Sequence, residues 1–259
     1  MLRRRLGERR VGHAGTLDPD ATGVLLVGVG SVTKLMRFMT VLPKTYRGQV
    51  VLGSSTSTLD ASGDVTGTWD MRGVTVDDAR RVVSEQLVGD IMQTPPMVSA
   101  VRIDGRRLHE LAREGIEVER APRPVTVHRF DVQAADEDGV FDVEVECSSG
   151  TYIRTLADDL GRLLGGGAHL RRLRRTAIGS FTEEHAAPPD ECELLAPWMA
   201  MRDHQLAVVT DEVAAMVANG RVLPRFDGDG PWAVMTGRGE LLAVYEPYRS
   251  DKAKPLVVL

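Results

Sequence analysis

The chemistry-bearing residues of this chain gather in one short stretch, Gly15-Thr-Leu-Asp-Pro-Asp-Ala-Thr-Gly23, whose glycines and proline exclude a regular element. Asp18 stands inside it. A residue before proline is biased to an extended backbone, which can project the carboxylate of Asp18 away from the loop. Such a group can act as nucleophile, base or ion-pair partner, although an Asp in a Gly/Pro loop also serves as an Asx-turn or cap. Tyr46 and Arg154 lie in a predicted strand and at the start of a predicted helix, and Arg171, Arg172, Arg174 and Arg175 form a cationic cluster. The two cysteines, Cys147 and Cys192, show no C-x-x-C spacing and the histidines no H-E-x-x-H, which argues against a disulfide framework or structural zinc and fits a reducing cytoplasm.

The elements around these residues follow from periodicity. Val24-Leu-Leu-Val-Gly-Val29 reads as a fully buried strand, Thr33 as the cap of a short helix carrying Leu35, Met36 and Phe38, and Pro43 as its end. Residues 46–52 are predicted as a strand, and 53–67, rich in Ser, Thr, Gly and Asp, as a long loop. Thr75-Val-Asp-Asp78 has the form of a capping box for a helix with Ala79, Val82, Val83 and Leu87 on one face. From about 93 to 128 the chain changes character: Pro95-Pro96, a turn at Gly105 and a short helix around 108–113 read as an insertion lying against a main sheet. Phe141, Val143, Val145 and Cys147 alternate with acids, predicting a strand with one wet face. Ile153, Leu156, Ala157, Leu160, Leu163 and Leu164 recur at helical spacing, and residues 169–181 resume an extended path. After Pro188-Pro189 and Pro197, a helix over 211–218 and short strands near 232–235, 241–245 and 255–259 predict a small β-rich module.

Composition sets the class. The 259 residues are 42% apolar and 27% charged, a soluble globular profile, and the longest apolar run is far short of a membrane span. No apolar signal region follows the basic start. A formal net charge of −5 alone argues against a nucleic-acid partner. The charge is sorted, however. Residues 1–50 hold nine Lys/Arg against three acids, 162–181 hold five arginines and no acid, and 131–146 hold seven carboxylates and no base. A codon preference for arginine accounts for there being only four lysines, but not for clustering, because it acts everywhere along the chain. One positive and one negative face are expected.

With these stretches set out, a resemblance emerges. The run Gly12-His-Ala-Gly-Thr-Leu-Asp-Pro-Asp-Ala-Thr-Gly-Val-Leu25 resembles the catalytic motif of the bacterial tRNA pseudouridine-55 synthases, the TruB family. Lys44-Thr-Tyr46, Ser149-Gly-Thr-Tyr-Ile-Arg154 and Gly167-Ala-His-Leu-Arg-Arg-Leu173 resemble its other motifs in the same order, and the likeness covers nearly the whole chain. It implies an α/β (α+β) fold with a mixed, mainly antiparallel sheet and flanking helices, a catalytic domain over 1–198, and a PUA-like β module over 204–259. The insertion at about 93–128 would be an RNA-gripping thumb, in which Arg102 and His109 stand where relatives often carry a lysine and an aromatic. The resemblance makes Asp18 the catalytic carboxylate, Arg154 its ion-pair partner, Tyr46 the ring stacked on the target uracil and Leu173 an apolar wall. His13 would enter the T loop where the flipped base was, Tyr152 would also bind substrate, and Arg171, Arg172, Arg174 and Arg175 would contact phosphates.

The implied reaction breaks the N1–C1′ bond of uridine, turns the base and joins C5 to C1′, so no cofactor or metal is expected. Asp18 could attack C6, attack C1′ or remove a sugar proton; the residues do not choose. The expected partner is the T stem-loop of tRNA, with no membrane and no evident protein partner. The family normally begins about thirty residues earlier with a strand and an Asp-Lys-Pro-x-Gly-x-Thr-Ser motif, and neither is found in this sequence, so a sheet short of one strand and its lysine is expected. Two rival readings follow: a catalytically silent RNA-binding or tRNA-folding protein, and a relative acting on another RNA or within a ribonucleoprotein.

Overall fold

Apolar side chains at every second position make one face of residues 140–147 a core surface: Phe141, Val143, Val145 and Cys147 are buried and Asp142 is exposed. The structure is a computed structural model that describes residues 1–103 and 105–259; the side chain of His109 also lies outside the description. The chain forms two units.

One unit comprises residues 18–23 and 43–177. Its sheet is built from β1 (Lys44–Leu52), β2 (Gly89–Gln93), β3 (Arg123–Ala134), β4 (Val140–Cys147) and β5 (Ala168–Ile178), in the spatial order β5-β1-β4-β3-β2. β1, β4, β3 and β2 pair antiparallel, with Tyr46 opposite Val145 and Lys44 opposite Cys147. Two helices cover the core: α1 (Val76–Val82), which continues through a wider turn over Val83–Leu87, and α2 (Ile153–Leu163). The capping box of α1 is formed, with Thr75 Oγ1 accepting from Asp78 N and Asp78 Oδ2 accepting from Thr75 N. α2 lies close to the chain that leads into β5, because a Cβ on Gly161 would sit 2.3 Å from Ala168 N. Between β2 and β3 the chain forms a small hairpin, Arg102–Ile103 with Arg106–Arg107, and a helix, Leu108–Arg113.

The other unit comprises residues 1–17, 24–42 and 178–259. Here β6 (Gln205–Val209), β7 (Trp232–Thr236), β8 (Leu241–Tyr248) and β9 (Lys252–Val258), with Leu223–Pro224, form a five-stranded sheet accompanied by α3 (Asp211–Ala218). Trp232, Val234, Ala243, Tyr245 and Val217 fill its core, and this is the C-terminal β module. The expected boundary between residues 198 and 204 falls inside this unit. Leu35 and Phe38 share a second core with Met201, Ala233, Met235 and Leu241, so the early segment and the C-terminal strands bury one another's apolar surface.

Four sequence expectations are corrected. Residues 24–29 are not one buried strand: only Val27–Val29 is extended, pairing with Val11–His13, and Leu25 is exposed. Thr33 does not cap a helix; it lies within a tight turn over Gly30–Leu35 and donates to Gly30 O, while the helix proper is Met36–Thr40. The stretch 53–67 is not loop throughout, since Ser54–Thr56 pairs with Val65–Thr68. Leu163 is exposed at the end of α2 rather than on its buried face. Among the described residues no helix is long and apolar enough to cross a membrane.

Candidate active site

β4 leaves the sheet through the Ser148-Ser-Gly150 turn, and Tyr152 becomes the N-cap residue of α2. The first turn of α2 therefore stands just beyond the C-terminal end of this central strand and carries Arg154, which is only 3% exposed. A guanidinium buried this deeply must have its donors matched. Nε and Nη2 donate to Asp18 Oδ2 at 2.8 Å and Oδ1 at 3.0 Å, a two-pronged pair. Nη1 donates to Thr58 O at 2.8 Å, and Nη2 also donates to Val98 O at 2.9 Å. The two partners differ in access: the Arg154 side chain is 4% exposed and that of Asp18 37%. The cation is enclosed while the carboxylate still meets solvent.

The loop bearing Asp18 is fixed on the C-terminal side of that residue. Ala21 N donates to Asp18 O at 3.0 Å, and Thr22–Gly23 pairs parallel with Arg174–Arg175 of β5. Gly23 has φ +104°, and a Cβ there would lie 2.1 Å from Arg175 O, so only glycine permits this approach. A second carboxylate, Asp60, stands 3.5 Å from Arg154 Nε. It accepts from Thr58 Oγ1 at 2.6 Å and from Ser62 N at 3.0 Å, in a turn where Leu59 adopts φ +62°. Leu170 N bonds Leu59 O and Ala61 N bonds Leu170 O, which ties this turn to β5. Sequence reasoning missed Asp60 because its Ser/Thr/Asp surroundings carry ordinary turn chemistry; its one signal is that Asp stands in a turn.

Asp18, Asp60, Arg154, Leu170, Arg171, Arg172 and Leu173 line one cleft. Tyr46, on β1, is partly buried against the core; its hydroxyl is hydrogen-bonded to the Arg175 side chain. Burial pushes its pKa up, with the Arg175 charge opposing, so the phenol stays protonated in the neutral range. On the same strand Lys44 is 5% exposed, and desolvation, reinforced by the Arg175 charge, lowers its pKa to about 8.

The arginine cluster does not form a single cationic face. Arg171 is engaged by Glu137, at 2.7 Å from Nη2, and by Gln49 Oε1, at 3.1 Å from Nε. Arg172 and Arg174 are exposed, and Arg174 Nη1 also donates to Thr22 Oγ1 at 3.2 Å. Arg175 is a correction: it is 1% exposed and cannot meet a phosphate from the surface. Three residues earlier Arg172 adopts φ +57°, an irregularity within β5. Before it Ala168 and Leu170 are buried; after it Leu173 is half-buried and Arg175, Thr176 and Ile178 are all buried. Tyr152 is half-buried, its backbone bonded to Gln93. His13 is exposed at the end of Val11–His13 in the other unit.

The geometry brings Asp18, Arg154, Tyr46 and Leu173 into one unit, and comparison with known proteins gives that arrangement a family. The model of the TruB family pseudouridylate synthase (N terminal domain) matches residues 3–153, and that of the tRNA pseudouridylate synthase B C-terminal domain matches residues 154–209. This chain belongs to the TruB family of pseudouridylate synthases. It is 44% identical over 269 residues to the tRNA pseudouridine synthase B of Rhodococcus jostii, covering 99% of this chain and 87% of that protein. Identity to the enzyme of that name from Corynebacterium aurimucosum is 44% over 270 residues, covering 100% and 88%. For Mycobacterium tuberculosis it is 41% over 251 residues, covering 93% and 84%. Among solved structures, a Cbf5-Nop10-Gar1 complex matches with a TM-score of 0.73 at 24% identity, covering 100% of this chain and 78% of that one. An H/ACA RNP bound to a substrate RNA containing 2'-deoxyuridine matches with a TM-score of 0.70 at 22% identity, covering 99% and 77%. These two likenesses show the shared fold, a mixed sheet with flanking helices.

Proposed function

We propose that this protein is a tRNA pseudouridine synthase that isomerises the T-loop uridine at position 55, with Asp18 as its catalytic carboxylate. The observation that carries the reading is the two-pronged pair between Asp18 and the enclosed Arg154, formed where Asp18 still opens to the cleft. Membership of the TruB family, and the relatives named tRNA pseudouridine synthase B, support the reaction and its RNA. The reaction is an isomerisation: the N1–C1′ bond breaks, C5 joins C1′, C5 gives up its proton and N1 gains one. Its requirement is an accessible anion held in fixed orientation, and Arg154 meets it by gripping both Asp18 oxygens at once. The substrate base must leave its stack, at a cost of roughly a few kcal/mol. Contact with Tyr46 and the apolar wall of Leu173 offsets part of that. The exposed Arg172 and Arg174 meet the RNA backbone, and Arg175 acts from within by bonding Tyr46.

The test uses unmodified tRNA, and an isolated T stem-loop, labelled with tritium at uracil C5. Release of one label per RNA by the native chain, and none by Asp18→Asn, is the expected outcome. Tight tRNA binding without release would replace the enzyme by a silent RNA binder.

A further inference from the structure

The helix that presents Arg154 begins without a side-chain cap of its own. The four N–H groups at a helix start need partners from elsewhere, and the N-cap position sets the direction in which the first turn leaves. Here the partner comes from 59 residues upstream: Gln93 Oε1 accepts from Tyr152 N at 2.7 Å, and Gln93 Nε2 donates to Tyr152 O at 3.1 Å. Gln93 is 2% exposed, so this reciprocal amide contact is shielded from water and fixes both the distance and the rotation of Tyr152. Five residues beyond Gln93, Val98 O accepts from Arg154 Nη2 at 2.9 Å, and the same nitrogen donates to Asp18 Oδ1 at 3.0 Å. The segment 93–98 thus touches α2 twice, once at its N-cap through a side chain and once at Arg154 through a carbonyl. Between the two contacts Pro95 and Pro96 are buried and restrict the backbone, so the contacts are joined by a stiff connection.

Resting on the function proposed above, we infer that Gln93 is a positioning residue for the reaction: its amide sets the first turn of α2 so that Arg154 reaches Asp18 and Val98 O together. Through this segment, the base of the 94–122 insertion and the reacting carboxylate share one guanidinium. RNA held by the insertion therefore bears on the orientation of Asp18. A small tilt of the first turn moves a guanidinium at the end of a long side chain further than it moves the backbone, which is why a group remote from substrate governs the rate.

Two variants separate this from a general packing role. Gln93→Met keeps volume and removes both hydrogen bonds; Gln93→Glu keeps an acceptor for Tyr152 N and loses the donor to Tyr152 O until its carboxyl is protonated. Single-turnover tritium release, tRNA affinity by filter binding and thermal unfolding are measured on the full chain, with the native protein and Asp18→Asn as references. The expected result is a single-turnover rate at least about tenfold down in Gln93→Met, with tRNA affinity within about twofold of the native chain. In Gln93→Glu, the rate relative to the native protein rises as pH is lowered, because the protonated acid restores the missing donor. Native rates in folded variants, affinity loss with unchanged chemistry, a flat rate ratio across pH, or failure of both variants to fold would each overturn the inference. A native protein that binds tRNA without releasing label would overturn the proposed function and this inference with it. An active native protein with equally active Gln93 variants would overturn only the latter.

Discussion

Arg154 divides its donors among three stretches of chain: the Asp18 loop, the Thr58–Asp60 turn and the 93–98 segment. A planar guanidinium can do this because its N–H groups point outward in a fixed fork; an ammonium is a point charge with no such geometry. Arg154→Lys is therefore expected to lower single-turnover tritium release by roughly a hundredfold, even though the charge is kept. A rate near that of the native chain would remove the fork from the mechanism. Lys44 makes a second prediction, of pH dependence. Its pKa falls to about 8 in the folded chain from an ordinary value of 10.5, so between these limits the unfolded state holds the extra proton. Stability from this group is complete above 10.5 and lost as pH falls through about 8. Comparing the native chain with Lys44→Met by denaturant unfolding, the native chain should gain on the variant by about 3 kcal/mol between pH 7 and pH 10.5. A constant difference would show that Lys44 stays charged in the fold throughout.

At the scale of elements, the site depends on β5 as a platform for two loops. Thr22–Gly23 pairs with Arg174–Arg175, and the turn around Asp60 bonds Leu170, so both carboxylates are referred to one strand. Gly23 is the narrowest point of that arrangement. Gly23→Ala adds a methyl where 2.1 Å separates it from Arg175 O and forces a non-glycine residue to φ +104°. It should detach the end of the Asp18 loop and lower the melting stability by about 1–3 kcal/mol, while tritium release falls by more than that loss of folded protein explains. Unchanged turnover in a folded Gly23→Ala protein would show that Asp18 is positioned by Arg154 alone.

Across the molecule, a net charge of −5 coexists with proposed RNA binding because charge is sorted, although less simply than runs of residues suggest. The acidic stretch 131–146 is partly neutralised from within: Glu137 pairs with Arg171, and Glu144 with Arg47 and Arg129. Arg172 and Arg174 remain on the surface. Each phosphate contact releases counterions, so Arg172→Ala should weaken tRNA binding and flatten the log-log salt dependence by about one unit. An unaltered slope would place the phosphates elsewhere.

The sequence by itself determined the elements whose periodicity is local. The alternation of residues 140–147, the helical spacing from Ile153 and the capping box at Thr75 require no distant partner to be read, and each is present. The Asp18 loop was legible for the same reason, since proline and glycine act on adjacent bonds. Tertiary structure alone decided the rest. Arg175 is enclosed within the fold, β5 gathers the Asp60 turn, and the segment 24–42 joins the C-terminal unit's core. These outcomes depend on which surfaces meet across tens to hundreds of residues, as with Asp18 and Arg154, 136 positions apart. A period in the chain states which face is apolar; packing decides what that face buries and which charged group is enclosed with it.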